Sequence, residues 1–185
     1  DGAIAEYVRL VDDQPRDWNS VNALGDLYVQ LDDGTAIDTV NRAFELGINL
    51  LDTSPHYGNG LAEHRCGTAI RCVSRQGIVV CTKVGRWMDP FHARRDGSGF
   101  VGGLPHRAVF DYSYDGTMRS VEQSLLRLGT DRLDLLLIHD VDVWTHGIDA
   151  IEERFREAMA GAQAARGLGR RRRRVLDVLR LVEND

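Results

Sequence analysis

The apolar positions of this chain fall into two alternating patterns. Between Thr35 and Leu46, the residues Ile37, Val40, Ala43, Phe44 and Leu46 recur at the spacing of a helix with one buried face, and Gly47 stands where such a helix stops. The next apolar run, Asn49-Leu50-Leu51, is short and ends on Asp52, with Pro55 and Gly58 just beyond. That reads as a strand and the loop leaving its carboxyl end. Helical spacing returns over Leu61–Arg71 and a strand over Ile78–Lys83. From Asp115 to Leu128, the side chains of Met118, Val121, Leu125 and Leu128 line one side of the clearest helix, which Gly129 closes. Arg132–His139 is a further strand, and Leu135–Ile138 is apolar at every position, as expected of a strand covered on both faces. Helix and strand in strict alternation predict repeated β-α units around a parallel sheet, an α/β fold.

Three stretches depart from this rhythm. Residues 84–114 hold glycines, prolines, aromatics and mixed charge without a sustained period, and predict a long loop lying over the rim beside Lys83. Residues 1–32 predict two short helices around Pro15, one through Ile4, Tyr7, Val8 and Val11, the other through Val21, Leu24, Leu27, Tyr28 and Leu31. This hairpin resembles part of a tetratricopeptide repeat, but one such unit cannot bury its own face, so a cap or a contact surface is expected. At the other end, a helix is predicted over Glu152–Ala158, then small residues, the run Arg170–Arg174, and an amphipathic pattern through Val175, Leu176, Leu179 and Val182. The expected organisation is a helical hairpin over 1–32, β-α units over 33–160 and an arginine-rich helical tail over 161–185.

Composition narrows the function classes. With 185 residues, 43% hydrophobic and 28% charged, the chain has the make-up of an ordinary globular protein. No apolar run approaches the roughly 20 residues that cross a bilayer, and no basic-then-apolar leader is visible, so no membrane partner and a cytoplasmic location are the expectations. Cys66, Cys72 and Cys81 lack Cys-x-x-Cys spacing and read as reduced thiols. A formal charge of −5 argues against nucleic acid as a partner, with Arg170–Arg174 read as a solvated helix end. His139 and His146, with Asp140 and Asp142 between them, do not have metal-ligand spacing, and no metal is expected.

The candidate chemistry sits where three predicted strands end. They deliver Asp52 with Tyr57, then Lys83, then His139, and parallel folds gather their reacting groups at that rim. The strings Asp52-Thr53-Ser54-Pro55-His56-Tyr57-Gly58, Cys81-Thr82-Lys83-Val84-Gly85 and Leu137-Ile138-His139-Asp140 resemble the aldo-keto reductases. Phe110-Asp111-Tyr112-Ser113-Tyr114-Asp115-Gly116 and His139-Asp140-Val141-Asp142-Val143-Trp144-Thr145-His146-Gly147 bring the likeness closest to the sugar-oxidising D-threo-aldose (L-fucose or galactose) dehydrogenases. The resemblance covers about residues 33–160. Leu24-Gly25-Asp26-Leu27-Tyr28 also resembles that family's loop after its first strand, a reading incompatible with the hairpin, and both readings stand at this point.

The resemblance implies an eight-stranded β/α (TIM) barrel, of which this chain would carry about half, preceded by the hairpin. It implies hydride transfer between an aldose, or another aldehyde or alcohol, and NADP or NAD. Tyr57 would be the acid or base. A phenol is a poor base at neutral pH, and an adjacent ammonium favours its anion, the role implied for Lys83. Asp52 would hold Lys83 and border the cofactor. His139 would hydrogen-bond the reacting oxygen, and Trp87 and Trp144 would either stack on a sugar face or pack the barrel mouth. His56 would touch substrate or pack in its loop. Complete barrels of this kind take about 250 residues, so a truncated form is expected. The alternative is a catalytically inert half-barrel serving in assembly, its open sheet closed by a second copy as a homo-oligomer or by the terminal helices.

Overall fold

The computed structural model describes residues 32–92, 100 and 102–169. The expected hairpin, apart from Asp32, and the arginine run lie outside them.

Asp32 starts the first helix, α1 (Asp33–Glu45), by accepting the Thr35 N–H at 3.0 Å and its hydroxyl at 2.8 Å. Phe44 packs on the core, but Leu46 is 41% exposed, where the sequence pattern expected it inward. It lies two residues past Phe44, roughly 200° around a helix, on the far side.

Three parallel strands follow: β1 (Leu50–Asp52), β2 (Val79–Val84) and, later in the chain, β5 (Leu135–Ile138). Their order is β1-β2-β5, with Asp52 opposite Cys81 and Lys83 opposite Leu137. Strand side chains alternate, so each strand serves two environments. Leu51, Val80, Val84, Leu136 and Ile138 meet Cys66, Ile70, Val121 and Leu128 in a core between sheet and helices. Leu50, Asp52, Cys81, Lys83, Leu135 and Leu137 therefore occupy the opposite face. The two-sided cover expected for β5 is not found: only Leu136 is buried, because β5 is an edge strand among the described residues.

Two helices cover the core face, α2 (Leu61–Ile70) and α3 (Tyr114–Leu128). They approach closely at Gly67, where an added Cβ would stand 2.6 Å from Leu128 O and 2.8 Å from Arg127 O. Beneath the sheet, the carboxylate of Glu63, 0% exposed, accepts from Thr82 Oγ1 at 2.6 Å and from Arg127 Nε at 2.6 Å. One buried carboxylate thereby ties α2, β2 and α3 together.

The stretch predicted as a loop, 84–114, contains instead an antiparallel pair, β3 (Arg86–Asp89) and β4 (Arg107–Phe110). It is anchored on α3: Gln123 accepts from the Met88 N–H and donates to Met88 O, both at 2.9 Å, and Ser120 Oγ donates to Arg86 O at 2.9 Å. A short helix α4 (Val143–His146) leads to α5 (Ile151–Gly169), which runs through the boundary drawn at residue 160. The small residues there have a packing reason. Ala158 and Ala162 are buried, and an added Cβ at Gly161 would collide with Tyr112 O, just ahead of α3. Among the described residues, no helix is long and apolar enough to cross a membrane.

Candidate active site

Asp52 is the last residue of β1, Lys83 the fifth of six in β2, and His139 the first beyond β5. Tyr57 opens the short 3-10 turn Tyr57–Gly60 that follows the β1 loop. The sheet register brings these positions together. Lys83 Nζ donates to both Asp52 carboxylate oxygens at 3.0 Å and to Thr53 O at 3.0 Å, so all three of its protons have acceptors. It also stands 4.8 Å from the centre of the Tyr57 ring. Burial alone would lower the Lys83 pKa, but the Asp52 carboxylate and then Tyr57 outweigh it, and the net shift is upward. Lys83 is a fixed cation beside a phenol.

His139 meets the Tyr57 ring edge to face, with centroids 5.8 Å apart and planes at 90°. Its Nδ1 lies 3.1 Å from Ser54 Oγ, and its Nε2 lies 3.5 Å from Asp140 Oδ1. Burial pushes its pKa down from 6.5 to about 4; Asp140 opposes this, while Arg86 and Lys83 add to it. The imidazole is neutral at pH 7. Between pH 4 and 6.5 the unfolded chain therefore binds a proton at this residue that the folded chain refuses. Stability is expected to fall as the pH drops through 6.5 and to stop falling, for this group, near 4. Urea midpoints from pH 7 to pH 4.5 measure the slope, and His139→Gln should flatten it.

Behind His139, the Tyr112 hydroxyl donates toward His139 O at 2.8 Å and Asp140 O at 3.2 Å, and Arg86 pairs with the Asp140 carboxylate. Asp140 sits at φ 53°, a left-handed conformation uncommon outside glycine, and these partners hold it there. Ser54, Arg86, Tyr112 and Asp140 were not singled out from sequence as parts of the site. For Ser54, Tyr112 and Asp140 the one available signal was their presence within the strings that carry the family resemblance; Arg86, one residue past Gly85, had none.

The tryptophans are not brought to the tetrad in the same way. Trp87 lies in β3 rather than in a rim loop, turned toward α3, with the Arg119 guanidinium 4.4 Å from its ring. Trp144, on α4, is 96% exposed. His56 flanks His139 with ring centroids 6.1 Å apart and meets Phe100 at 5.1 Å. His146 turns to the Tyr112 hydroxyl, 3.0 Å from its Nε2. Among the described residues, no three His, Cys, Asp or Glu side chains converge as a metal site.

Comparison with known proteins extends this picture. The model of the aldo/keto reductase family matches residues 21–169, a span that includes Leu24–Tyr28 and every described strand. Pyridoxal 4-dehydrogenase of Microbacterium luteolum is 39% identical, over 66% of this chain and 39% of that protein. D-threo-aldose 1-dehydrogenase of a Pseudomonas species is 36% identical, over 68% of this chain and 39% of its own length. The chain thus spans about two fifths of the curated relatives it matches. The solved glycerol dehydrogenase of Gluconobacter oxydans superposes with a TM-score of 0.54 at 21% identity, covering 80% of this chain and 40% of that one, a likeness of fold. With the family's model matched over residues 21–169 and three parallel strands backed by helices, this chain belongs to the aldo/keto reductase family and folds as part of a β/α barrel.

Proposed function

We propose that this chain carries the proton-transfer site of an oxidoreductase that moves hydride between a small aldehyde or aldose and a nicotinamide dinucleotide. The observation that supports it is the convergence of Asp52, Lys83, Tyr57 and His139 at the carboxyl ends of adjacent parallel strands. NADP or NAD, when bound, supplies or accepts the hydride. In reduction, the Tyr57 hydroxyl gives its proton to the carbonyl oxygen, and the Lys83 ammonium stabilises the phenolate left behind. Asp52 keeps that ammonium charged and in place. His139, neutral, donates an N–H to the same oxygen and orients it. In oxidation, Tyr57 accepts the proton of the hydroxyl at C1, and an aldose becomes a lactone.

The described residues fit one part of such a cofactor. The Asp52 side chain is 46% exposed although its Lys83 partner is 10% exposed, so it can still accept a hydrogen bond from a cofactor hydroxyl. Lys83 and Arg86, by contrast, are committed to Asp52 and Asp140, which leaves neither to neutralise a pyrophosphate. Titration of the chain with NADPH and NADH, read by nicotinamide fluorescence, is expected to saturate, with Asp52→Asn weakening binding. A folded chain that binds neither would overturn the reading.

A second reading rests on the half-buried Leu135 and Leu137 of the edge strand β5. In it, the chain is an inert half-barrel whose open face is closed by a second copy. It predicts dimers by sedimentation and no dinucleotide binding.

A further inference from the structure

His139 has two ring nitrogens, and only a protonated one can donate to a reacting oxygen. Ser54 decides which is protonated. Its side chain is 0% exposed, so its hydroxyl proton has no water to go to. Ser54 Oγ accepts the backbone N–H of His56 at 3.1 Å, and among the described residues its other hydrogen-bond partner is His139 Nδ1, also at 3.1 Å. A buried hydroxyl with one incoming N–H and one further polar neighbour donates to that neighbour. Nδ1 must then present its lone pair, and the ring proton moves to Nε2. The other side of the ring agrees: Nε2 lies 3.5 Å from a carboxylate oxygen of Asp140, which favours an N–H there over a bare lone pair.

We propose that Ser54 is a positioning residue that fixes His139 as the Nε2–H tautomer and holds the ring edge-on to Tyr57. The consequence for catalysis rests on the function proposed above, since it leaves Nε2–H as the donor to the reacting oxygen. The tautomer itself does not depend on that function. The arrangement has a local origin. Ser54 lies two residues beyond Asp52, in a loop tied back to the sheet by Thr53 N–H donating to Cys81 O at 3.0 Å. The same loop therefore carries the partner of Lys83 and the partner of His139.

The test is long-range proton–nitrogen correlation NMR on the chain labelled with 15N-histidine, at pH 7, without cofactor or substrate. His139, assigned by its loss in His139→Gln, is expected to show a protonated Nε2 and an unprotonated, hydrogen-bonded Nδ1. In Ser54→Ala, the Nδ1 resonance is expected to move toward that of an unbonded imidazole nitrogen. A protonated Nδ1 in the unmodified chain would overturn the proposal, and that measurement does not need Ser54→Ala to fold. An Nδ1 resonance unmoved in folded Ser54→Ala would overturn it as well. A chain that binds no dinucleotide yet shows the expected spectrum would sink the proposed function and leave this inference standing.

Discussion

Tyr57→Phe is expected to lower turnover of an aldehyde substrate by roughly 10²- to 10⁴-fold, the usual worth of a positioned proton donor. The loss should fall on kcat, with KM little changed, because the hydroxyl proton moves only as the transition state forms. The fold should survive. The ring that remains still faces Lys83 at 4.8 Å and His139 at 5.8 Å, and Lys83 keeps three acceptors in Asp52 and Thr53. Steady-state rates followed by nicotinamide absorbance, alongside a urea midpoint, separate the two effects. A variant that keeps most of its turnover would move the proton donor to another group. Lys83→Met is the instructive contrast. It strips a cation from the phenol and leaves the Asp52 carboxylate without its partner, so it should cost stability as well as rate.

The largest loss of stability is expected from Glu63→Ala, about 3–5 kcal/mol, the usual consequence of deleting one partner of a buried ion pair. Glu63 is fully buried, and Arg127, its partner at 2.6 Å, has a side chain 9% exposed. Truncation would leave that guanidinium inside the protein without its carboxylate and Thr82 Oγ1 without its acceptor. Replacing both ionic partners at once, as Glu63→Leu with Arg127→Met, should cost far less than the single change. Urea unfolding of the two variants measures the difference. A Glu63→Ala chain within 1 kcal/mol of the parent, on this order-of-magnitude scale, would show that water reaches the pair.

α3 was legible because its period is long enough to read, and the parallel strands because they are apolar runs bounded by turn residues. Met118, Val121, Leu125 and Leu128 recur over about three turns, and the three parallel strands lead to ionisable residues, Asp52, Lys83 and His139, that the family strings contain. The β3–β4 pair was not legible. Each strand is four residues long, too short to show alternation, and the pairing of Arg86 with Phe110 is a contact across the intervening chain. Leu46 is apolar, but its angle around α1 turns it away from the buried face, which residue identity alone does not show. The helix predicted over Glu152–Ala158 was not extended through the small residues that follow because small side chains carry no periodic signal. Their purpose becomes visible only when Gly161 is seen against Tyr112 O. Ser54 had no signal of its own: a serine in a strand-to-helix loop is ordinary, and its value lies in a histidine 85 positions away.

The central place of β2 limits how this gene can change in length. Lys83 reaches Asp52 only because it has the same parity as Cys81 along a strand clamped on both sides. Inserting or deleting one residue within β2 ahead of Lys83 would turn the ammonium toward Val121 and Leu128 and bring an uncharged neighbour under Asp52. Chains of this lineage that keep the ammonium beside Asp52 should therefore vary in length in the segments between strands and not by single residues ahead of Lys83 in β2.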